Sequence, residues 1–581
     1  LISVAGRLGY AELEAISAID TACEAGLLIQ RDDGRYAFTY DLFQQVVERS
    51  MGAAQHAYLH REIAEALEGQ GARGSPSWEA LADHHVRAGE PEQALIYLEQ
   101  AGAHAKALHA YADAEYYYRT LVEYLDGHGR MLKAAQSREQ LGIMLGYRGR
   151  YDEALAELER ALEAYRSGGW RDAEVRVATL VGQELYAQGA IERGIARLEQ
   201  EAHTVVGVAD RSLAALYLSL AQLYGASGEY ERALDAGERA AKLARASNDR
   251  RLLALAELER GTALGILGRV DEGLRVLEDA AIPITKATGD LWTQALALDR
   301  AAQSHILRGE FSEASRDIER GMLLAWQLDD QSVSAKMMLN RGILRFHRGA
   351  WRQAQVDLRW ASATLHLHGL TPRAALAMAW LGQLSLAKGR WKRAEYELTR
   401  SLVLAEMGGD RQSAIQAQCA RAEQDLLEGK PEQARLRLEP LLADAGNRRA
   451  ELTGVLALLG WAWLELGDGR QGESLAAASV LRASATGLRC TLTDALRIQA
   501  LVAARMGRWE EALECVEQAR SLARMLSYPY AEAKALAVGG QLFLQRHEVG
   551  RGVAQLAAAR SLLNLLGDRL YVAALPGPVE Y

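Results

Sequence analysis

The stretch Gly389-Arg390-Trp391-Lys392-Arg393-Ala394-Glu395-Tyr396-Glu397-Leu398-Thr399-Arg400-Ser401-Leu402 decides the fold, because versions of it recur along almost the whole chain. A glycine or other turn residue stands at 149, 189, 228, 268, 309, 349, 389, 429, 467 and 507, with His547 in the last place, so the spacing is 38 to 41 residues. A fixed period of this size marks a stacked array. Two further positions keep the register: five residues after each turn (Ala154, Ala314, Ala354, Ala394) and seven before it (Gly142, Gly261, Gly342, Gly382) every residue is Gly or Ala. These positions fall on two successive helices flanking one turn, where small side chains let the helices approach at the short end of the usual ~8–10 Å.

The reading is therefore all-α: a right-handed superhelix of about twelve tetratricopeptide-like helix hairpins with a period of roughly 40 residues, against 34 for the standard unit. HEAT repeats share the period but lack the paired small-residue register. Residues 76–106 form the first hairpin, and helix 91–106 is expected to pair both back to 76–88 and forward to 111–125. Aromatics two residues after the turn (Tyr151, Tyr230, Phe311, Trp351, Trp391, Trp509) are expected to pack over the hairpin apex.

The 581 residues, 49% apolar and 25% charged, are ordinary globular material, and a solenoid of this length needs no single large core. Four scattered cysteines without a CxxC pair argue against a zinc site or disulfide framework and fit a reducing compartment. No apolar run reaches about eighteen residues, and the first residues lack a signal-peptide pattern, so no membrane role and a cytoplasmic location are expected. The start at Leu1, directly in helical sequence, suggests a piece of a longer protein.

Before the array the period changes. Residues 10–29 read as helix, and Leu27–Gln30 and Arg35–Tyr40 around Arg31-Asp32-Asp33-Gly34 read as a β-hairpin. The expected division is a small winged-helix-like domain over 1–50, a helical adaptor with the first hairpin over 51–130, the superhelix over 131–570 and a breaker-rich tail over 571–581. The segment Asp20 to Gly26 carries no basic residue, so direct DNA binding is not expected.

The run Gly34-Arg35-Tyr36-Ala37-Phe38-Thr39-Tyr40-Asp41-Leu42-Phe43-Gln44-Gln45-Val46-Val47, followed by Leu59-His60-Arg61-Glu62-Ile63-Ala64, resembles the junction in large STAND-type ATPase regulators, among them MalT-like transcriptional activators. Where that family commonly has His-Asp and then Arg, this chain has Tyr40-Asp41 and Gln44. The resemblance covers the order of parts along the whole chain. It implies a nucleotide-binding module upstream, in cis, and a superhelix that receives a signal.

Catalysis is not expected. No GxxxxGK[ST] loop or GxSxG elbow occurs, and the lone Gly429-Lys430 runs into Pro431. His56 and His60 are one helical turn apart but suggest no third ligand, and no metal or cofactor is assigned. Binding remains. The first helix of each pair should line the concave surface, which puts Gln183, Gln222, Gln303, Gln383, Glu423, Trp461 and Gln541 in the groove, where amides can meet a peptide or a polar signal molecule. Residues 331–400 carry twelve cations and three anions, +9, in a chain of net charge −9. Arg341, Arg345, Arg348, Arg352, Lys388, Arg390, Lys392 and Arg393 form the expected basic rim. The function that follows is a non-catalytic sensor or regulatory arm of a signal-transduction ATPase, the alternative being a free-standing scaffold for protein assembly.

Overall fold

Gly389 has φ 67°, and in that left-handed turn its N–H meets Leu386 O at 2.9 Å while the Arg390 N–H meets Ser385 O at 2.9 Å. This is a Schellman cap, which satisfies carbonyls a helix end would leave orphaned. The pattern recurs at each turn of the repeat, His547 included at φ 62°. A second comb, unused in the sequence reading, lies between the first: Gly169, Asn248, Gly289, Asp329, Gly369, Gly409, Gly487, Ser527 and Gly567 also have positive φ and close the second helix of each pair. Half of the punctuation thus sits on Asn, Asp, Ser or Gly, whose variety hides the period.

The computed structural model describes residues 2–31, 35–70, 77–203, 207–443 and 452–576. It opens with α1 (Ile2–Arg7), α2 (Glu12–Glu24), strands β1 (Leu28–Gln30) and β2 (Tyr36–Phe38), α3 (Asp41–Ser50) and α4 (Ala53–Gln70). The strands are antiparallel with Leu28 opposite Phe38, and Arg31 N–H donates to Arg35 O at 2.8 Å. The turn residues Asp32, Asp33 and Gly34 lie outside the described residues, as does the tail beyond Pro576. Next come α5 (Trp78–Ala88), α6 (Pro91–Ala107), α7 (Tyr111–Gly127), α8 (Met131–Tyr147), α9 (Tyr151–Ser167), α10 (Arg171–Gln188) and α11 (Ile191–His203). Helix α6 packs on both α5 and α7, as the odd helix required.

The chain divides after Val208 into two units. The second holds nine hairpins: α12 (Asp210–Ser227) with α13 (Tyr230–Ala246), α14 (Arg250–Ile266) with α15 (Val270–Val276) and α16 (Ile282–Thr288), α17 (Leu291–Arg308) with α18 (Phe311–Gln327), α19 (Gln331–His347) with α20 (Trp351–Leu367), α21 (Thr371–Ala387) with α22 (Trp391–Met407), α23 (Arg411–Leu427) with α24 (Pro431–Ala443), α25 (Leu452–Glu465) with α26 (Gly469–Ala485), α27 (Arg489–Arg505) with α28 (Trp509–Met525), and α29 (Pro529–Gln545) with α30 (Val549–Leu566). The short α31 (Leu570–Ala574) follows. A π-helical segment, Leu277–Ala281, joins α15 to α16. Pro283 explains it: with no N–H to donate, the ladder slips by one residue just ahead of it.

The small positions do what their register implied. A Cβ on Gly142, Gly182, Gly261, Gly342, Gly382 or Gly540 would stand 2.5–2.7 Å from the leucine sixteen residues on: Leu158, Leu198, Leu277, Leu358, Leu398 or Leu556. Each leucine is a knob seated on the bare backbone of the preceding helix. The aromatic after the turn is buried at Phe311 and Trp351, whose indole N–H donates to Phe346 O at 3.1 Å, but Trp391 remains 45% exposed.

Candidate functional site

In the second unit the array winds so tightly that the hairpins of α17, α19 and α21 meet the segments five places along. Cys490 at the start of α27 donates its thiol to Ile306 O near the end of α17 at 3.3 Å. Gly349 after α19 faces Pro529 and Leu566, and Arg569 N–H bonds Ala387 O at the end of α21 at 2.6 Å. Phe346, His347 and Trp351 meet Tyr528 or Tyr530, and Trp380 packs on Phe346 and His347, all edge-to-face with centroids 4.7–6.1 Å apart. Three turn glycines therefore have two duties. Beyond their positive φ, Gly309, Gly349 and Gly389 lie where a Cβ would press on Leu526, Leu566 or Arg569, at 2.5, 2.6 and 2.8 Å, whereas Gly189, Gly228 and Gly507 face open space.

What remains of the concave side is a chamber of about 290 Å³. Its wall is built from the first helices of eight hairpins, α14, α17, α19, α21, α23, α25, α27 and α29, with the capping residues Leu488 and Tyr528. Of the residues expected in the groove, Gln303, Gln383 and Glu423 line it. Gln222 instead reaches Glu259 at 3.4 Å. Trp461 is buried behind the wall, its indole N–H on Glu465 at 3.2 Å and Arg497 over its ring at 5.3 Å. Gln541, half-buried on α29, is not part of the lining, and Gln183 stands exposed on α10 of the first unit.

Two polar groups border the chamber, the first putting Glu423, Asp494, Arg497 and Lys534 into its lining and the second Asn340, and of these sequence reasoning found only Glu423. In the first, Glu423 takes the hydroxyl of Tyr571, Lys534 Nζ at 3.3 Å and Arg497 at 3.4 Å, while Asp494 takes Lys534 at 2.6 Å and Arg497 at 3.2 Å. Arg497 is 2% and Lys534 3% exposed, and both lie over the Tyr571 ring. Burial pushes Asp494 up, but Lys534 and Arg497 outweigh it and hold the carboxyl below its usual range. Such cations are stable only because paired and stacked. With Tyr571 added, the charged quartet ties α23, α27, α29 and α31 together. Nothing in the repeat register announces it: the position thirteen before the turn, which supplies both Asp494 and Lys534, holds Lys336, Leu376, Gln416 and Gly454 in other hairpins.

The second group centres on Asp299 of α17. It accepts Arg373 and, at 2.8 Å, the amide of Asn340, which is fully buried and whose Oδ1 has no partner. Burial and the neighbouring Arg300 push Arg373 down to about 10, and burial lowers Lys336. Gln416 donates to Gln383 at 2.7 Å. His347 also lines the chamber with Nδ1 unpartnered, and burial pushes it down to about 4. The wall thiols Cys419 and Cys490 are pushed up to about 12 by burial, so they are not nucleophiles at neutral pH.

The basic rim is partly internal bracing. Arg341 and Arg345 both clasp the buried Asp357, at 2.9 and 2.6 Å, and Arg393 holds the buried Glu397 at 2.7 Å. Arg390 reaches the Gln355 amide, Lys388 the Trp351 carbonyl, and Arg348 the face of Phe311. Arg352 and Lys392 are exposed.

In the first unit, His60 contacts His84 at 2.7 Å and His56 at 3.3 Å. Among the described residues no group of three His, Cys, Asp or Glu is arranged to hold a metal ion, and no helix is long and apolar enough to cross a membrane.

No family model matches the chain, and no curated protein does. Among solved structures it is similar to a Rap protein complexed with competence and sporulation factor, at 12% identity and a TM-score of 0.43 over 68% of this chain and 99% of that one. It is also similar to a STAND protein with a tetratricopeptide repeat sensor from Pyrococcus horikoshii, at 13% identity and a TM-score of 0.39 over 66% of this chain and 57% of that one.

Proposed function

We propose that this chain is a non-catalytic sensing arm that holds a small signal molecule or a peptide segment in the chamber of its second unit and regulates a signal-transduction ATPase module joined to it. The observation that carries the reading is a chamber walled by eight first helices, with buried charges on helices far apart in sequence. A ligand touching both the Asp299 group and the Glu423 quartet would be paid for in changed winding, because the quartet fixes which hairpins meet. Differential contacts with two windings are what a switch requires.

The test uses a plugged variant. Gly454 lines the chamber, and a Cβ there meets nothing within 4 Å, so Gly454→Leu starts its side chain in open space and extends it from the wall. In a thermal-shift screen of metabolites and peptides, compounds should stabilise the wild-type chain and leave Gly454→Leu unmoved. Hits that stabilise both equally, or no hits at all, defeat the reading. Protein partners retained equally by both variants, together with a gene lacking any phosphate-loop module, would favour the free-standing scaffold.

A further inference from the structure

The chamber's second polar group has more cationic reach than it uses. Arg300 lines the chamber on α17, one helical turn from Gln303, and forms no ion pair among the described residues. Lys336 on α19 is half-buried and likewise unpaired. Both share their neighbourhood with Arg373, whose partner Asp299 is already taken up by Asn340 as well. Glu259, the other carboxyl near Arg300, is raised by burial and takes the Gln222 amide at 3.4 Å, and among the described residues it forms no ion pair with Arg300. A half-buried guanidinium aimed into a cavity with five N–H donors is matched by a planar anion.

Two more observations fix what accompanies the anion. Asn340 belongs to the chamber wall, its amide N–H groups are committed to Asp299, and its buried Oδ1 has no partner. It calls for an O–H or N–H donor. Beside these groups the wall turns apolar, with Ile306, Ile343, Leu376, Trp380, Ile415 and Leu458. The volume lies near the lower end of the roughly 300–1,000 Å³ of ligand pockets, so the occupant is small.

Resting on the chamber reading above, we infer that the ligand is an amphipathic organic carboxylate: its carboxylate on Arg300 and Gln303, a neighbouring amide or hydroxyl hydrogen on Asn340 Oδ1, and an apolar body against Ile343, Leu376 and Trp380. The same chemistry is carried by an N-acyl amino acid or by a hydroxylated medium-chain acid, and the test separates the two.

The probes are N-octanoylglycine, its neutral primary amide, 3-hydroxydecanoate and decanoate, each titrated calorimetrically into the full chain. N-octanoylglycine or 3-hydroxydecanoate should bind, whichever binds tighter naming the source, and the primary amide of N-octanoylglycine should bind at least tenfold more weakly than the acid. Decanoate, which has no donor for Asn340, should fall below the better acid. Arg300→Gln should lose at least tenfold for the acid and nothing for the amide, with the thermal transition unmoved; Lys336→Gln should lose less. If acid and amide bind alike to wild type and Gly454→Leu abolishes both, the chamber is a ligand site but the anion assignment is overturned. Failure of all four probes overturns the carboxylate assignment alone, whereas equal binding of the acid to wild type and Gly454→Leu overturns both.

Discussion

Gly342→Ala adds one methyl group at the closest helix contact of the fourth hairpin in the second unit. The new Cβ would stand 2.7 Å from Leu358 Cγ and 2.8 Å from its Cδ2, roughly 1 Å inside the usual carbon contact of about 3.5–4.0 Å. Neither side yields easily: Leu358 is fully buried, and the adjacent Asp357 is clasped by Arg341 and Arg345. Overpacking costs about 1–3 kcal/mol, and two atoms overlapped this far belong at the upper end. Alanine's better helix propensity offsets about 1 kcal/mol. The net loss is then about 2 kcal/mol. Gly225 on α12 is the control, because a Cβ there meets nothing within 4 Å and the same substitution should stabilise. Stacked repeats open locally, so the readout is amide hydrogen exchange resolved to α19 and α20. At 1.4 kcal/mol per tenfold, exchange there should quicken roughly thirtyfold. Leu358→Ala alone should cost about 2–5 kcal/mol, and the double variant less than the sum, since the new methyl fills part of the space the leucine leaves. Equal protection in Gly342→Ala and Gly225→Ala, or strict additivity in the double variant, would refute this account of the helix contact.

Glu423→Gln should cost about 3–5 kcal/mol, because it leaves Arg497 buried with one carboxylate fewer; the loss should appear as faster exchange in α27, α29 and α31. Gly349→Ala should cost more than Gly507→Ala although both have φ 77°, since only the first presses on Leu566; near-equal melting shifts would show that the hairpin five places on does not rest there. His347 lies among Phe311, Phe346, Trp380 and Tyr528, with Asp494 and Lys534 the charged groups acting on it. Its folded value, about 4, is below the ordinary 6.5, so its contribution is present above pH 6.5 and is lost as pH falls toward 4, on the order of 3 kcal/mol in all. His347→Phe should flatten that slope in exchange measured over α19; an unchanged slope would place the titration elsewhere.

The 40-residue comb, the small positions around each turn and the odd helix α7 are local facts, set by which residues tolerate positive φ and by which face of a helix must lie close to its neighbour, and periodicity exposes them. The leucine knob sixteen residues after Gly142, Gly182, Gly261, Gly342, Gly382 and Gly540 is equally present in the sequence, as is the second comb, but neither enters a reading built on the first comb. The candidate site was legible only in part. Gln303, Gln383 and Glu423 stand at one register position and line the chamber, but the same position puts Trp461 behind the wall and leaves Gln541 out of the lining. Register does not single out Arg300, Asn340, Asp494, Arg497 or Lys534. Their roles depend on hairpins five places apart coming into contact, and that follows from a small rotation accumulated at each interface, which no single repeat encodes. Sequence thus determined the repeating unit; tertiary structure decided that the first helices close into a chamber, and which residues and charges meet inside it.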